Sequence, residues 1–430
     1  MIRAELSPTL RLALPLAAQQ LGFQLMGTVD AALLGRYDDA ALAASGVGNN
    51  LLFTVTSIGF GIVMGMDSVV PQAIGAGREA DARRYVNAGL RLAILVGLAC
   101  TLGVLAMPLV LGLVGVDPEV HRQAALYVDL RAIGIVPFLI SVALRSYLAA
   151  HERTRPLVIA VIAGNVANAL LDLLLIFVCD LGVAGAAIAT VSVQAITLLL
   201  YFSALRTLEG PTPRPPSTRA DLAEIARYGG PVGGQMFAEV GIFGVATVLA
   251  AHLGTVPAAA HSIALNLASF TFSLAVGIGS ATSVRVGHAI GAGDRALARV
   301  RGDAGLVVGL VGMGAFAVTF VALPRVLASG FTADLGVIAA TVPLLQIAAL
   351  FQLFDGTQAI AAGALRGLGD TRATLVGNLI GHYAIGLPIS LGLCFGAALG
   401  APGLWWGLSA GLVGTAIYLV VRFQANTRPR

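Results

Sequence analysis

The sequence contains no lysine, and charged residues make up only 11% of its 430 positions. A soluble globular domain carries about 25% charged residues, so this composition excludes an ordinary soluble protein. Hydrophobic residues account for 57% of the chain and the mean hydropathy is +0.88, which indicates a protein that lies mostly in lipid. The arginines occur in short loops between apolar segments, so no nucleic-acid partner is expected.

Catalytic and metal-binding motifs are also absent from the sequence. Its three cysteines, Cys100, Cys179 and Cys394, are scattered through apolar runs without a CxxC pair, which argues against a disulfide framework or a zinc site. No Walker sequence, HExxH or Ser-His-Asp constellation is present. The sequence therefore predicts neither an enzyme nor a bound cofactor, and any uphill transport must draw on an ion gradient.

Long apolar runs fill most of the chain. A helix that crosses a membrane needs about 20 predominantly apolar residues, and twelve runs meet this length. They are 10–33, 45–70, 86–114, 122–147, 156–178, 183–205, 228–252, 258–286, 302–324, 336–362, 373–398 and 403–424. The sequence thus predicts an all-α membrane protein with twelve transmembrane helices.

One long polar run, Arg206–Arg227, interrupts this pattern. It contains Pro211, Pro213, Pro215 and Pro216. Proline has no backbone N–H to donate, so the run is predicted to be an extended cytoplasmic linker. It divides the chain into an N-terminal six-helix lobe, 1–205, and a C-terminal six-helix lobe, 228–430.

The two lobes carry an internal repeat. The sequence AIGAG occurs at 73–77 and again at 289–293, which is 216 positions later. The same offset relates Pro15 to Pro231, Gln19 to Gln235, Asn50 to Asn266 and Ser57 to Ser273. Six predicted spans separate equivalent points, so the copies form two pseudo-symmetric bundles of the same orientation. Parallel repeats with a substrate cavity between the halves are typical of secondary transporters.

Arginine placement predicts the orientation. Most arginines outside the spans lie in the tails, the linker and one set of loops, whereas the opposite loops contain only Arg36, Arg122 and Arg325. The positive-inside rule then places both termini and the linker in the cytoplasm, with the chain in the inner (cytoplasmic) membrane. The N-terminal segment lacks a cleavable signal pattern, so the first span is expected to be retained.

Among the carboxylates within predicted spans, the main candidates for function are Asp30, Asp172, Glu239 and Asp355. A charged side chain at the centre of a bilayer costs at least about 2.5–3.5 kcal/mol on insertion scales, so each is a candidate for function. Three of them have amides nearby on the same helix. Asn168 stands one turn before Asp172, Gln235 one turn before Glu239, and Gln352 and Gln358 three residues to either side of Asp355.

Plainer explanations remain open for some of these residues. Asp30 lies near the predicted outer end of its span, where water can solvate a carboxylate. Asn168 and Asp172 could form a buried pair that only joins helices. The AIGAG sequences lack the Lys-Ser/Thr of a phosphate loop and are predicted to be tight turns. We expect Asp67, Asp129 and Arg131 to be structural or to lie near a cytoplasmic or outer mouth, and we expect structural roles for His261, His288 and His382.

Several motifs together resemble one transporter family over nearly the full chain. They are VDAALLGR (29–36), VVPQAIGAGR (69–78), GVAGAAIATVSVQ (182–194), the intramembrane Glu239 and FDGTQAIAAGALRGLGDT (354–371). With these motifs the chain resembles the MATE (multidrug and toxic compound extrusion) transporters. The last motif and Glu239 are similar to the NorM-like branch.

The resemblance implies roles for particular residues. The family's cation site in the C-terminal half, including any Na⁺ site, would fall on Glu239 and Asp355. Its proton- or sodium-responsive cluster in the N-terminal half would fall on Asp30, Tyr127, Asn168, Asp172 and Thr190. NorM-like members tend to have an amide where Asp172 stands, whereas the related DinF-like branch has the aspartate. Which lobe carries coupling therefore stays open.

The sequence and the resemblance together predict a monomeric antiporter that exports amphipathic organic cations, with H⁺ or Na⁺ as the coupling ion. Burial disfavours the charged form of a carboxylate, so such a group gains by taking up a proton or a cation. Gln235, Gln352, Gln358, Tyr127 and Thr190 would support the site or line the substrate cavity. The alternative is a flippase for lipid-linked saccharides, which should line its cavity with basic groups rather than acids.

Overall fold

The computed structural model describes residues 2–109, 117–210 and 214–428. Throughout these ranges the regular structure is helical, with no strand. The helices are α1 Ile2–Tyr37, α2 Asp39–Val63, α3 Met66–Gly75, α4 Glu79–Leu105, α5 Pro118–Ala132, α6 Ile135–Ala150, α7 Arg155–Asp172, α8 Gly182–Glu209, α9 Arg219–His252, α10 Thr255–Gly291, α11 Arg295–Ala322, α12 Pro324–Ser329, α13 Leu335–Leu368, α14 Thr371–Asn378, α15 Leu387–Leu391 and α16 Gly400–Asn426. The all-α prediction is confirmed.

Short polar residues fix several helix starts. Asp38 accepts a hydrogen bond from the Ala41 backbone N–H at the start of α2, and Asp117 does the same for two N–H groups of α5. Asp294 and Asp334 cap α11 and α13 in the same way. Each cap satisfies donors that have no partner within the helix.

The described ranges contain ten helices long and apolar enough to cross a membrane. The number is eleven if the pair α5 and α6, which is bent by 47° near Gly134, is counted as one span. The first predicted span, 10–33, lies in α1, which is 36 residues long but carries Gln19, Gln20 and Gln24 at its middle. These glutamines lower the hydropathy of α1 without breaking the helix.

Both AIGAG sequences form the predicted tight turns. Gly77 and Gly293 have φ angles of +70° and +79°, a left-handed conformation that glycine adopts at little cost. The Arg78 and Asp294 N–H groups donate to the carbonyls five residues earlier, each at 2.9 Å. At these two turns the two copies of the sequence repeat therefore have the same backbone geometry.

Two spans contain π-helical backbone. The helix α7 continues as a π-helix over Leu173–Val178, directly after Asp172. After α14 the chain is π-helical over Leu379–Gly386 and again over Gly392–Gly396. Such π-helical segments are rare in proteins, and those that do occur are often located at functional sites.

The segment predicted to be an extended linker, Arg206–Arg227, is helical at both ends. α8 continues to Glu209 and α9 begins at Arg219. The prolines between these points prevent either helix from extending further, but the residues that flank them form helix readily. Pro211 and Pro213 lie outside the described residues.

The chain forms two compact units. We call Ala18–Gly233 the N-terminal unit, and Met1–Ala17 with Gly234–Arg430 the C-terminal unit. The borders after positions 17 and 233 are 216 positions apart, which is the offset of the repeat. The predicted division into 1–205, 206–227 and 228–430 follows the sequence repeat and stays a prediction.

Candidate functional site

In the C-terminal unit, Glu239 on α9 gathers amide groups from three helices. Its Oε1 accepts hydrogen bonds from Asn378 Nδ2 at 2.8 Å, Gln358 Nε2 at 2.5 Å and Gln235 Nε2 at 3.4 Å. Gln235 lies one turn earlier on α9, Gln358 lies on α13, and Asn378 ends α14. All of these donors are neutral, so they hold the carboxylate in place without neutralising its charge.

The second oxygen of Glu239 is differently placed. All three amides donate to Oε1, so within the described ranges Oε2 has no hydrogen-bond partner. Glu239 is half-buried, whereas Gln235 and Gln358 are buried. Arg366 attracts Glu239 electrostatically. One carboxylate oxygen therefore remains available for a cation.

Asp355 is the second predicted acid of this unit. It is buried on α13, interacts electrostatically with Glu239, and has no hydrogen-bond partner among the described residues. Gln352, one turn before it, is fully buried and accepts a hydrogen bond from Thr271 Oγ1. The predicted stripe of Gln352, Asp355 and Gln358 thus lies in the interior of the unit, and Gln358 connects it directly to Glu239.

In the N-terminal unit, Asp30 lies near the outer end of its predicted span but is not solvated there. Its side chain is only 7% exposed, and its Oδ2 accepts a hydrogen bond from Thr190 Oγ1 at 3.1 Å. Thr190 lies on α8, far from Asp30 in sequence. The solvated-carboxylate explanation for Asp30 is therefore wrong.

Asn168 and Asp172 are fully buried one turn apart on α7. Both lie close enough to Asp30 to interact with it electrostatically or as polar partners, although no hydrogen bond of normal geometry joins these side chains in the described part of the chain. Two carboxylates at such close range repel each other when both are charged. A proton or a cation between them relieves that repulsion.

Tyr127 on α5 joins the same cluster, and it brings Arg131 with it. The Arg131 guanidinium donates to the Tyr127 hydroxyl at 2.8 Å and lies 5.4 Å from the centre of its ring. Arg131 also attracts Asp30. The N-terminal acids therefore have a positively charged side chain nearby, a role that was not expected for Arg131 from the sequence.

Two contributors were missed from the sequence. Asn378 donates to Glu239, and Arg131 faces Asp30. Asn378 is an isolated amide in the apolar run LVGNLIG, and a polar residue in such a position is a usable signal. Arg131 comes four residues after Tyr127, and this spacing places the two side chains on the same face of α5.

Asp67 and Arg145, both buried in the N-terminal unit, form an ion pair at 4.0 Å. His261 is also buried and bonded on both ring nitrogens. These contacts agree with the structural roles expected for Asp67 and His261.

A single family model matches the chain twice. The MatE family model covers residues 15–174 and again 231–391, which is well over half of the chain. The chain belongs to the MatE family. The two matches begin 216 positions apart, so they also confirm the internal repeat. MatE proteins are transporters rather than enzymes, as predicted.

Relatives of this MatE protein cover nearly its full length. It is 36% identical to a probable multidrug resistance protein NorM of Deinococcus radiodurans, over 99% of this chain and 96% of the relative. It is 34% identical to the multidrug resistance protein PmpM of Pseudomonas aeruginosa, over 99% and 93%. The resemblance to the NorM-like branch is thereby confirmed.

Solved structures share the fold at lower identity. The eukaryotic MATE transporter AtDTX14 superimposes with a TM-score of 0.91 at 20% identity, over 99% of this chain and 98% of the other. A Pyrococcus furiosus transporter of the MOP superfamily, whose binding pocket is described as having reverse polarity, gives 0.90 at 18%, over 98% and 96%. Since one fold accommodates pockets of different polarity, substrate class must be argued from the charges of this chain.

Proposed function

We propose that this MatE protein exports amphipathic organic cations in exchange for H⁺ or Na⁺ by alternating access. The observation that carries the proposal is Glu239, an intramembrane carboxylate with one free oxygen and only neutral hydrogen-bond donors. A group of this kind attracts any small or lipophilic cation that reaches it. The names of the full-length relatives, multidrug resistance proteins, support drugs as the exported substrates.

Exchange follows from competition for one negative charge. A proton or Na⁺ at Glu239 removes the attraction for an organic cation, and an organic cation removes the attraction for the ion. The coupling is reciprocal: each ligand lowers the affinity of the other by the same factor. Asp355, which also interacts with Glu239, makes the region more negative and strengthens both sides of the competition. We propose these two residues as the cation site.

The Asp30 cluster gives the N-terminal unit a second place where an ion can act. Its two acids are buried beside Arg131 and Tyr127. Because Arg131 supplies a positive charge here, we expect the Asp30 cluster to bind protons or Na⁺ rather than a large organic cation. Asn168 and Thr190 would hold the acids in place.

The charges argue against a flippase for lipid-linked saccharides. Such a protein would need several basic groups to hold a pyrophosphate, but the hydrogen-bond donors to Glu239 are amides, its electrostatic neighbour Asp355 is an acid, and one buried arginine, Arg366, attracts it. We therefore assign the chain to organic-cation export. The distribution of arginine places both termini in the cytoplasm and the protein in the inner (cytoplasmic) membrane. The monomer contains all of the proposed residues.

The test is efflux from proteoliposomes loaded with a fluorescent organic cation such as ethidium. A pH gradient and a Na⁺ gradient are imposed in separate experiments. We expect one gradient to drive efflux, and we expect the Glu239→Gln, Asp355→Asn double variant to lose the response while remaining monodisperse. An efflux rate that neither the pH gradient nor the Na⁺ gradient changes, together with binding of a lipid-linked pyrophosphate, would favour the flippase.

A further inference from the structure

Two histidines are buried in the C-terminal unit, and their surroundings differ. The Trp405 indole N–H donates to His261 Nδ1 at 3.2 Å, and His261 Nε2 contacts Thr247 Oγ1 at 3.3 Å. Because the indole can only donate, Nδ1 of His261 must be the acceptor and Nε2 must carry the proton. Both nitrogens are thus committed, and His261 is held as one neutral tautomer.

His382 is the opposite case. Its side chain is 1% exposed, yet neither ring nitrogen has a hydrogen-bond partner among the described residues. Burying a polar group without a partner costs roughly 1–3 kcal/mol, and Tyr or Phe would fill the same space without leaving two ring nitrogens unpaired. A side chain kept at that cost is a candidate for chemistry rather than packing.

The register of two helices places His382 next to the Glu239 site. Asn378 donates to Glu239, and His382, four residues after Asn378, packs edge-on against Phe243, with 6.2 Å between ring centres. Phe243 is four residues after Glu239. His382 therefore lies about one turn of α9, roughly 5.4 Å along that helix, beyond Glu239. It lies toward the C-terminal end of α9, which the expected orientation places outside.

The elements packed around His382 contribute few other titratable groups. α16 presents glycines and Thr415 to residues 381–386. Tyr383 donates its hydroxyl to the Ala238 carbonyl at 2.8 Å, and Tyr418 meets the backbone near Gly377. On α9, the group with a charge to exchange is Glu239. The backbone that carries His382 is π-helical over Leu379–Gly386, and π-helical insertions are frequently located at functional sites.

We infer that His382 relays the coupling proton to and from Glu239, which makes H⁺ the coupling ion; this rests on the antiport proposed above. A neutral imidazole has one N–H and one bare nitrogen. It accepts a proton on the bare nitrogen from the outer side and releases the other proton toward Glu239. The N–H bond breaks as the carboxyl O–H bond forms, through one bridging water if needed, and the imidazole is left neutral. His382 is a relay and not part of the organic-cation site.

The experiment uses ethidium-loaded proteoliposomes with the full-length protein and compares His382→Gln with His261→Gln. Glutamine keeps a donor and an acceptor but does not titrate. General acid–base groups contribute about 10²–10⁴-fold, and water can replace part of that. We expect His382→Gln to lower pH-driven efflux at least tenfold while ethidium affinity stays within twofold. His261→Gln should lower thermal stability but leave efflux per folded protein within twofold.

Each other outcome is decisive. Normal pH-driven efflux by His382→Gln, or an equal loss in both variants, overturns the relay. Wild-type efflux driven by Na⁺ and not by pH overturns the relay but leaves the antiport intact, and efflux driven by neither overturns both. If His382→Gln is not monodisperse, His382→Asn replaces it under the same criteria.

Discussion

Replacing Glu239 with glutamine should weaken the binding of organic cations far more than it weakens the fold. Glutamine has nearly the same size, and its carbonyl oxygen can still accept from Asn378, Gln358 and Gln235, the three present donors to Oε1. What disappears is the charge at Oε2, the oxygen without a partner in the described structure. The change therefore removes a charge and preserves the surrounding contacts.

The size of the effect follows from Coulomb's law. Two unit charges about 5 Å apart attract each other by about 3 kcal/mol at an effective dielectric constant of about 20. That corresponds to a loss of affinity of roughly 150-fold at 25 °C. Asp355 interacts with the same region and retains part of the attraction, so the measured loss for a monovalent cation should fall between about tenfold and 150-fold.

The assay is the fluorescence of ethidium bound to purified protein in detergent, titrated at fixed pH and salt. Glu239→Asp keeps the charge and is the matched control, with an expected loss of less than about tenfold because only the reach of the carboxylate changes. A loss below threefold for Glu239→Gln, in protein of unchanged thermal stability, would refute the assignment of Glu239 to the cation site.

Two further predictions concern the fold. Glu5→Gln removes the ion pair with Arg285 that anchors the start of α1 within the C-terminal unit. It should lower the free energy of unfolding by about 1–3 kcal/mol. Arg78→Gln removes an exposed ion pair and should lower the free energy of unfolding by less than about 1 kcal/mol. Gly363→Ala would place a Cβ 2.2 Å from a backbone carbonyl oxygen of α10 and should lower the free energy of unfolding by about 1–3 kcal/mol. Gly314→Ala, which meets nothing within 4 Å, should be neutral or stabilising. Thermal unfolding in detergent measures all four, and equal effects within either pair would contradict the reasoning.

The sequence was sufficient for the features that depend on one helix at a time. Hydropathy located the helices, and helical spacing placed Gln235 beside Glu239 and Gln358 beside Asp355. The repeat was visible because AIGAG must form the same glycine-dependent turn in both halves. In each case the relevant physics acts within a few residues of the chain.

Contacts between helices could not be derived in the same way. The hydrogen bond from Asn378 to Glu239 depends on the rotation and height of α14 relative to α9. The attraction between Arg131 and Asp30 depends in the same way on the placement of α5 relative to α1. The repeat gives no help with the acids, since Glu239 corresponds to Phe23 at the offset of 216, and Asp30 corresponds to Ala246. The functional groups thus depart from the symmetry that the framework keeps.

The borders of the compact units show the same limit. Residues up to Ala17 belong with the C-terminal unit, held there in part by the contacts of Glu5 and Thr9 with Arg285. The polar run at 206–227 was the most visible boundary in the sequence. The compact units change within α1 and α9, where the amino-acid composition gives no sign of a border.

The most direct measurement of the central claim is ion release on substrate binding. Ethidium is added to the purified protein in weakly buffered detergent solution, and released H⁺ and Na⁺ are recorded by a pH indicator and a Na⁺ electrode. If ion and organic cation compete for Glu239 and Asp355, binding to the wild type should release one of these ions, and the Glu239→Gln, Asp355→Asn variant should release neither. Tight ethidium binding by the wild type without ion release would contradict the claim.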